Sequence, residues 1–215
     1  MRVGLVILSV CAAFAPAAVR GQDLAVEYRN TFAIPSSATD QSGSVFAVTG
    51  LSGLSYAGDN LWWACLDNSN KLIELRITLG AMGDIAAATI TRGLSLGTSA
   101  DAEDLAVSGG HAWIADESPA LRRVVLAGGT VDQNLALPPP FTSVRPNFGL
   151  ESLTRAAHGI HWTATEEALS VDGPLSTPQA GTLVRLLRLA PSGDSLTPTR
   201  QLAYETAPIH GPTTA

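Results

Sequence analysis

Three segments of the sequence share one pattern, and the first is GLSGLSYAGDNLWWACLDNSNKLIELRI, from Gly50 to Ile77. The second starts at Asp101 and reads DAEDLAVSGGHAWIADESPALRRVVL, and the third opens at Gly149 with GLESLTRAAHGIHWTATEEAL. In each segment a leucine precedes a glycine-containing turn, a tryptophan follows the turn, and an acidic residue comes four positions later. These residues are Leu54, Trp63 and Asp67, then Leu105, Trp113 and Glu117, then Leu153, Trp162 and Glu166. The chain therefore contains an internal repeat of about 50 residues.

Each repeat consists of short apolar or alternating runs separated by turn residues, which is typical of β-strands. The first two runs are joined by hairpin-type turns, namely Ala57-Gly58-Asp59-Asn60, Ser108-Gly109-Gly110 and His158-Gly159. A third strand is predicted over residues 72–77, 121–126 and 183–189, and a fourth over residues 87–96 and 130–137.

Four strands in about 50 residues are the size of one β-propeller blade. We therefore predict an all-β, β-propeller-like fold with four-stranded blades. An ordinary β-sandwich is the alternative, but it does not require the same leucine, tryptophan and acid in register three times. Residues 23–215 suffice for about four blades, and residues 208–212 do not read as a closing strand. The prediction therefore includes an incomplete ring.

The first 21 residues have the features of a secretory signal, with Arg2 followed by an apolar run over residues 3–15 and then by small residues. The run is too short to span a bilayer. Cleavage after Ala17 or Gly21 would leave residues 22–215 as one domain in an exported protein, either periplasmic or secreted. A lipoprotein signal ending at Cys11 is the alternative, although Val10 is bulky for that role.

The amino-acid composition limits the kinds of molecule that the protein is expected to bind. The chain is 46% hydrophobic and 15% charged, with a formal net charge of −6, and removal of the leader takes Arg2 and Arg20 with it. An acidic protein is not suited to nonspecific binding of nucleic acid. Cys65 would be the one cysteine left, and its apolar strand pattern predicts a small core residue.

The acidic residues fall at two positions of the repeat that should meet in space. Because neighbouring strands of a blade are antiparallel, the start of the first strand lies beside the end of the second. The first position holds Ser52, Glu103 and Glu151, with Asp101 and Asp104 nearby, and the second holds Asp67, Asp116 with Glu117, and Glu166 with Glu167. Acids from three blades should therefore gather at one mouth of the central channel.

Close carboxylates repel one another unless a proton or a metal ion neutralises their charge. Hard divalent cations such as Ca²⁺ take several oxygen ligands, and we predict that Asp67, Glu103 and Glu151 hold such an ion. Asp116, Glu117 or Glu166 would then orient water for attack on a metal-bound phosphate ester. In the alternative interpretation these acids cap turns and accept backbone N–H groups.

Three other features are weaker candidates. Gly93-Leu94-Ser95-Leu96-Gly97 matches the nucleophile elbow of serine esterases, but that elbow requires a strand-turn-helix unit in an α/β sheet. His158 and His161 flank a predicted turn without the further ligands of a zinc site. Arg145 and Arg155 flank the acidic third repeat and could meet a phosphate, although an ion pair with a neighbouring acid is the simpler role.

Several stretches also follow the order of motifs in a known family, and these are residues 50–56 (GLSGLSY), 101–103 (DAE), 113–117 (WIADE), 147–153 (NFGLESL), 166–169 (EEAL), Asp172-Gly173 and 183–189. Over roughly residues 45–209 the chain thus resembles the phytase-like domain, also called the esterase-like activity of phytase. The resemblance implies an exported propeller-like domain rich in Asp and Glu, with phosphoester hydrolysis as its activity. Asp104 stands where the family usually has glycine, and the family domain is typically longer, which implies a C-terminally incomplete member.

The sequence therefore predicts a metal-dependent hydrolase that acts on small phosphorylated or ester substrates, with Ca²⁺ as the expected cofactor. A noncatalytic exported propeller that binds a ligand or partner, with Ca²⁺ in a structural role, is the first alternative. A lactonase-like propeller with the same carboxylates and a different substrate is the second.

Overall fold

The structure is a computed structural model that describes residues 27–98 and 100–209. Within these residues the regular structure consists of strands and two short 3₁₀ turns, Phe141–Ser143 and Ala157–Gly159. The strands are β1 (Ser37–Thr39), β2 (Val45–Ala47), β3 (Leu51–Gly58), β4 (Leu61–Leu66), β5 (Lys71–Leu79), β6 (Ile85–Ser95), β7 (Ala102–Ser108), β8 (His111–Asp116), β9 (Ala120–Val125), β10 (Thr130–Leu135), β11 (Leu150–Arg155), β12 (His161–Thr165), β13 (Leu183–Ser192) and β14 (Ser195–Glu205). The all-β prediction is confirmed.

Three four-stranded antiparallel sheets account for most of the chain, and each is built from consecutive strands. We call them blade 1 (β3–β6), blade 2 (β7–β10) and blade 3 (β11–β14). The hairpin turns explain this simple order. Asp59 and Asn60 adopt positive φ angles of 51° and 63°, and Gly109 and Gly110 adopt 58° and 79°, as two-residue hairpin turns with the twist of the sheet require.

The blades pack face to face through their first strands, with β7 in contact with both β3 and β11. They form an open arc, and this confirms the prediction of propeller blades in an incomplete ring. The described residues contain three blades and a separate two-stranded sheet, β1–β2, where the sequence suggested about four blades.

The repeated leucines and tryptophans form the contacts between blades. Trp63 and Leu105 lie in one core cluster between blades 1 and 2, and Trp113 and Leu153 lie in another between blades 2 and 3. Leu54 is 52% exposed, because no described blade covers that side of β3. Burial of this apolar surface between the sheets holds the arc together.

Cys65 lies in the first of these clusters and is fully buried, which confirms its assignment to the core. Burial raises the pKa of its thiol to about 12, so the group stays protonated and unreactive.

The β1–β2 hairpin is attached to blade 1 by the buried carboxylate of Asp40, and by Gln41, which exchanges two hydrogen bonds of 2.8 Å with the backbone of Ser95. Asp40 accepts hydrogen bonds from Ser95 Oγ at 2.7 Å and from the backbone N–H groups of Ser42 and Ser44, and Lys71 Nζ lies 3.1 Å from it. The Ser42 hydroxyl also donates to Asp40. This hydrogen bond, and after it the others, hold the pKa of Asp40 well below its usual range. The carboxylate is therefore charged and anchors the hairpin.

The expected leader over residues 1–21 lies outside the described residues. None of the helices in the described part of the chain is long and apolar enough to cross a membrane.

Candidate functional site

A β-bulge recurs at the start of the first strand in every blade. The pairing register shifts between Leu51 and Leu54, between Ala102 and Asp104, and between Leu150 and Ser152. The bulges contain Ser52, Glu103 and Glu151 respectively. Because a bulge adds a residue to one strand only and redirects its side chain, it frees the two glutamates from the alternation of the sheet.

The acids after the second strands are held by a backbone bond that is the same in all three blades. The N–H groups of Asp67, Glu117 and Glu166 donate to the carbonyls of Gly50, Asp101 and Gly149, at 2.7, 2.9 and 3.1 Å. The start of the first strand and the end of the second are therefore neighbours, as the antiparallel argument predicted.

Two groups of carboxylates result, and they share a residue. Asp67, Asp101 and Glu103 offer oxygen atoms within 4.8 Å of one another, and so do Glu103, Glu117 and Glu151. We call these five residues the acidic rim. All five are partly buried, and Glu103 belongs to both groups. Of the three residues predicted as metal ligands, Glu103 lies with Asp67 in one group and with Glu151 in the other, and Asp67 and Glu151 share no group.

The proximity of these carboxylates changes their protonation. Burial, and then the charges of Asp67 and Asp101, raise the pKa of Glu103 to about 7. Burial, and then the charges of Glu103 and Glu166, raise the pKa of Glu151 to about 7. Near neutral pH the rim therefore retains protons that a bound cation would displace.

Backbone contacts between blades fix the position of the rim. Glu117 Oε1 accepts a hydrogen bond from the N–H of Gly149 at 2.8 Å, and Asp101 Oδ1 accepts one from the N–H of Asn68 at 3.0 Å. Gly149 packs so closely on the backbone of Glu117 that a Cβ atom there would lie 2.8 Å from Glu117 Cα. A glycine is therefore needed where blade 3 meets the end of β8.

The other two acids predicted as catalytic lie outside these groups. Glu166 is exposed beside the rim, and burial, followed by the charge of Glu117, raises its pKa. Asp116 is buried and turned into its own hairpin, where it accepts a hydrogen bond from the N–H of Ser118 at 3.0 Å and pairs with Arg122 at 3.4 Å. The structure therefore joins Glu117 and Glu166 to the rim region and gives Asp116 a turn-capping position.

Two of the weaker candidates, Ser95 and Arg145, occupy structural positions. Ser95 of the esterase-like motif lies at the end of strand β6 and donates to Asp40, so the strand-turn-helix of an esterase elbow is not formed there. Arg145 donates to the carbonyls of Ala168 (3.0 Å) and Gly173 (2.5 Å), and thereby holds the long loop that follows β12. The side chain of Arg145 is thus committed to backbone acceptors.

Comparison with known protein families identifies the family of this chain. The family profile described as phytase-like, esterase-like activity of phytase, matches residues 47–215. The chain belongs to the phytase-like family. The match spans all three blades and every residue of the acidic rim, in agreement with the resemblance seen in the sequence motifs.

Solved structures show only distant likeness to this phytase-like chain. YCF48 bound to D1 peptide matches with a TM-score of 0.42 and 12% identity, over 73% of this chain and 44% of that one. BamB from Moraxella catarrhalis matches with a TM-score of 0.38 and 16% identity, over 76% of this chain and 42% of that one. The periplasmic gluconolactonase PpgL from Pseudomonas aeruginosa matches with a TM-score of 0.38 and 13% identity, over 83% of this chain and 65% of that one. This chain thus spans less than two thirds of the length of each, and no curated protein gives a significant match.

Asp104, the departure from the usual phytase-like pattern, has a structural role that the sequence did not reveal. Its Oδ2 accepts a hydrogen bond from the N–H of Leu153 at 2.7 Å, and its Oδ1 accepts one from the N–H of Leu105 at 2.7 Å. Burial raises the pKa of this carboxyl group. The strand start is maintained, and Asp104 connects blade 2 to blade 3.

Asp101 was noted in the sequence only as a neighbour of the predicted site. The structure places its carboxylate within the first group, because the residue lies just before β7 and its carbonyl accepts the N–H of Glu117. The repeat itself was the available signal, since Asp101 occupies the position that Gly50 and Gly149 hold in the other two blades.

Proposed function

We propose that the chain is an exported, metal-dependent hydrolase of phosphate esters that binds Ca²⁺ at the acidic rim. The observation that supports the proposal most directly is the pair of carboxylate groups that share Glu103. Each group offers three carboxylates, which are the type of ligand that Ca²⁺ prefers among its roughly six to eight oxygen ligands, and the two groups together draw on all three blades.

The pKa values support a cation more than an anion at this site. Glu103 and Glu151 titrate near neutral pH because each is partly buried and also faces other carboxylates, and a divalent ion would replace their protons and relieve the repulsion. Without a cation, the same charges would repel the phosphate of a substrate. Binding of a phosphate ester is therefore expected to require the metal.

The residues divide into two roles in this proposal. Asp67, Glu103 and Glu151 hold the cation, with Asp101 and Glu117 completing its ligands. A bound Ca²⁺ would polarise a phosphoryl oxygen and offset the charge that develops there. Glu166 is exposed beside the rim, and its raised pKa makes its carboxylate a stronger base toward water than an ordinary glutamate.

One observation favours a noncatalytic role for the same residues. Glu117 and Asp101 accept backbone N–H groups across blade boundaries, so these two acids contribute to the fold whether or not catalysis occurs. In that case Ca²⁺ would stabilise the arc, and the rim would bind a partner without hydrolysis.

The test uses protein freed of metal by dialysis against a chelator and then supplied with Ca²⁺. Hydrolysis of p-nitrophenyl phosphate and of bis(p-nitrophenyl) phosphate is measured for the wild type, Glu103→Gln and Glu205→Gln. Glu205 ends β14, the strand of blade 3 farthest from β11, and belongs to neither carboxylate group of the rim, so it is the matched control. We expect Ca²⁺-dependent turnover in the wild type and the control. In Glu103→Gln, Ca²⁺ affinity should fall by at least about 10–100-fold, the cost of losing groups that merely orient ligands.

The same experiment separates the alternatives. Stabilisation by Ca²⁺ with no turnover of either ester supports the noncatalytic role, and turnover of a sugar lactone in place of the phosphate esters supports a lactonase. Export is tested by expressing the whole chain and determining the N-terminus of the mature protein, which we expect at residue 18 or 22.

A further inference from the structure

A second site lies at the opposite end of the first strands, away from the acidic rim. It is a cleft of about 490 Å³ between blades 1 and 2, at the boundary that also carries the Trp63 cluster. Tyr56 and Ser108, near the ends of β3 and β7, contribute to its wall, as do Trp63, Arg92 and Arg155. Its volume is in the range of sites for small organic ligands.

Two arginines, Arg92 and Arg155, place positively charged guanidinium groups in the wall of this cleft. The Arg92 guanidinium lies over the Trp63 ring, 4.7 Å from its centroid, and donates one hydrogen bond to the carbonyl of Leu126 at 2.8 Å. Its Nε–H is buried and has no acceptor. Arg155, the last residue of β11, is exposed and has no hydrogen bond or ion pair to any residue in the described part of the chain.

Two other arginines of the protein pair with acids. Arg123 pairs with Asp132 at 2.7 Å, and Arg185 pairs with Asp172 at 2.6 Å. The one acid in the cleft wall is Glu74, whose Oε1 accepts a hydrogen bond from Thr91 at 2.7 Å. Glu74 forms no ion pair with either cleft arginine among the described residues. Glu74 is the cross-strand neighbour of Arg92, so the cleft wall carries two guanidinium groups and one carboxylate, a net positive charge in a chain whose net charge is −6.

We propose that this cleft binds a small organic molecule through a carboxylate or phosphate group. Guanidinium groups recognise both oxyanions through paired hydrogen bonds, and an anion here would pair with the exposed guanidinium of Arg155 and lie near the positive charge of Arg92. The ring of Tyr56, which is 55% exposed, supplies apolar wall for the rest of the molecule, while Trp63 is buried beneath Arg92.

The adjacent cleft between blades 2 and 3 is less suited to an anion, although Ser108 and Arg155 line it as well. It is smaller, about 200 Å³, and contains His161. His161 Nδ1 lies 2.9 Å from the carbonyl of Gly159, so Nδ1 carries the proton and the buried Nε2 is an acceptor without a partner. Burial lowers the pKa of this imidazole and keeps it neutral, so it adds no positive charge.

The test measures binding of phenyl phosphate, benzoate and inorganic phosphate to metal-free protein by calorimetry and by tryptophan fluorescence. The chelator used to remove metal is itself dialysed away, so that neither the chelator nor a cation at the acidic rim competes for the probe. The variants are Arg155→Gln and Arg92→Lys, and the control is Arg188→Gln, whose guanidinium donates to Thr199 on blade 3.

Phenyl phosphate or benzoate should bind the wild type more tightly than inorganic phosphate does, and added salt should weaken the binding. Arg155→Gln should reduce affinity by about tenfold or more, the loss expected for a hydrogen bond between charged groups, without lowering the melting temperature. Arg92→Lys should also weaken binding, whereas Arg188→Gln should not. The relative affinities of phenyl phosphate and benzoate distinguish the two oxyanions.

The proposal is overturned if none of the three probes binds at millimolar concentration, or if Arg155→Gln binds as tightly as the wild type. It is also overturned if Arg188→Gln weakens binding as much as Arg155→Gln does. The outcome is independent of hydrolysis at the acidic rim, because Arg155→Gln alters no rim residue and should leave Ca²⁺-dependent turnover unchanged.

Discussion

Replacement of Glu103 by glutamine should stabilise the metal-free protein at alkaline pH and have little effect at acidic pH. Burial and the neighbouring carboxylates raise the pKa of Glu103 from 4.5 to about 7, so between these values the folded protein holds a proton that the unfolded chain has released. The resulting stability is complete below pH 4.5 and is lost as the pH rises through 7. Glutamine keeps the uncharged form at every pH, and its amide can still donate to Asp67.

The magnitude follows from the pKa difference. Because one pKa unit corresponds to about 1.4 kcal/mol, the difference sets an upper limit of about 3 kcal/mol. Solvent reaches the partly exposed carboxylate and reduces this to about 1–2 kcal/mol. For a domain of this size the gain corresponds to a rise of about 2–8 °C in melting temperature.

Melting is followed by calorimetry after removal of metal, at pH 5 and pH 8, for the wild type, Glu103→Gln and the control Glu205→Gln. We expect the increase for Glu103→Gln at pH 8 only, and no increase for the control. Saturating Ca²⁺ should reverse the order, because the wild type gains a ligand-bound state that the variant has lost. An equal change at both pH values, or a lower melting temperature for the variant at pH 8 without metal, would refute the reasoning.

Three further variants test the packing around the rim. Gly149→Ala should destabilise the protein by about 1–3 kcal/mol in urea unfolding, because its Cβ would meet the backbone of Glu117, whereas Gly97→Ala, with open space around it, should not. Asp104→Ala should cost about 1–3 kcal/mol in the same assay, because it leaves the N–H of Leu153 without its acceptor, and Asp104→Asn should cost less. Asp40→Asn weakens the pairing with Lys71, and limited proteolysis should then cut near the β1–β2 hairpin before it cuts the blades.

The blades could be predicted from the sequence because their core contacts repeat. Trp63 and Leu105 pack at one blade boundary, and the same pair of positions packs at the next. Strand β14 was missed because residues 195–205 are largely polar and include Pro198, which an edge strand tolerates. Strands β1 and β2 have three residues each, too few for a periodic pattern.

The sequence also predicted where the acidic rim lies, but it did not predict which acidic side chains enter it. The antiparallel pairing predicts which ends of the strands meet, but Asp116 and Glu117 are adjacent and their side chains point in different directions. Asp116 is buried in its hairpin, and Glu117 enters the rim. The bulges that redirect Glu103 and Glu151 depend on strand register, which the repeat pattern does not specify.

The distribution of acids among the blades connects stability to the proposed function. Blade 1 contributes Asp67 to the rim and blade 3 contributes Glu151, while Asp101, Glu103 and Glu117 belong to blade 2 and its adjoining segments. The blades otherwise meet mainly through apolar side chains, which do not oppose sliding of one sheet over the next as directional bonds do. A cation in the group of Asp67, Asp101 and Glu103 would connect blades 1 and 2, and one in the group of Glu103, Glu117 and Glu151 would connect blades 2 and 3. Loss of metal should therefore loosen the arrangement on which the site itself depends.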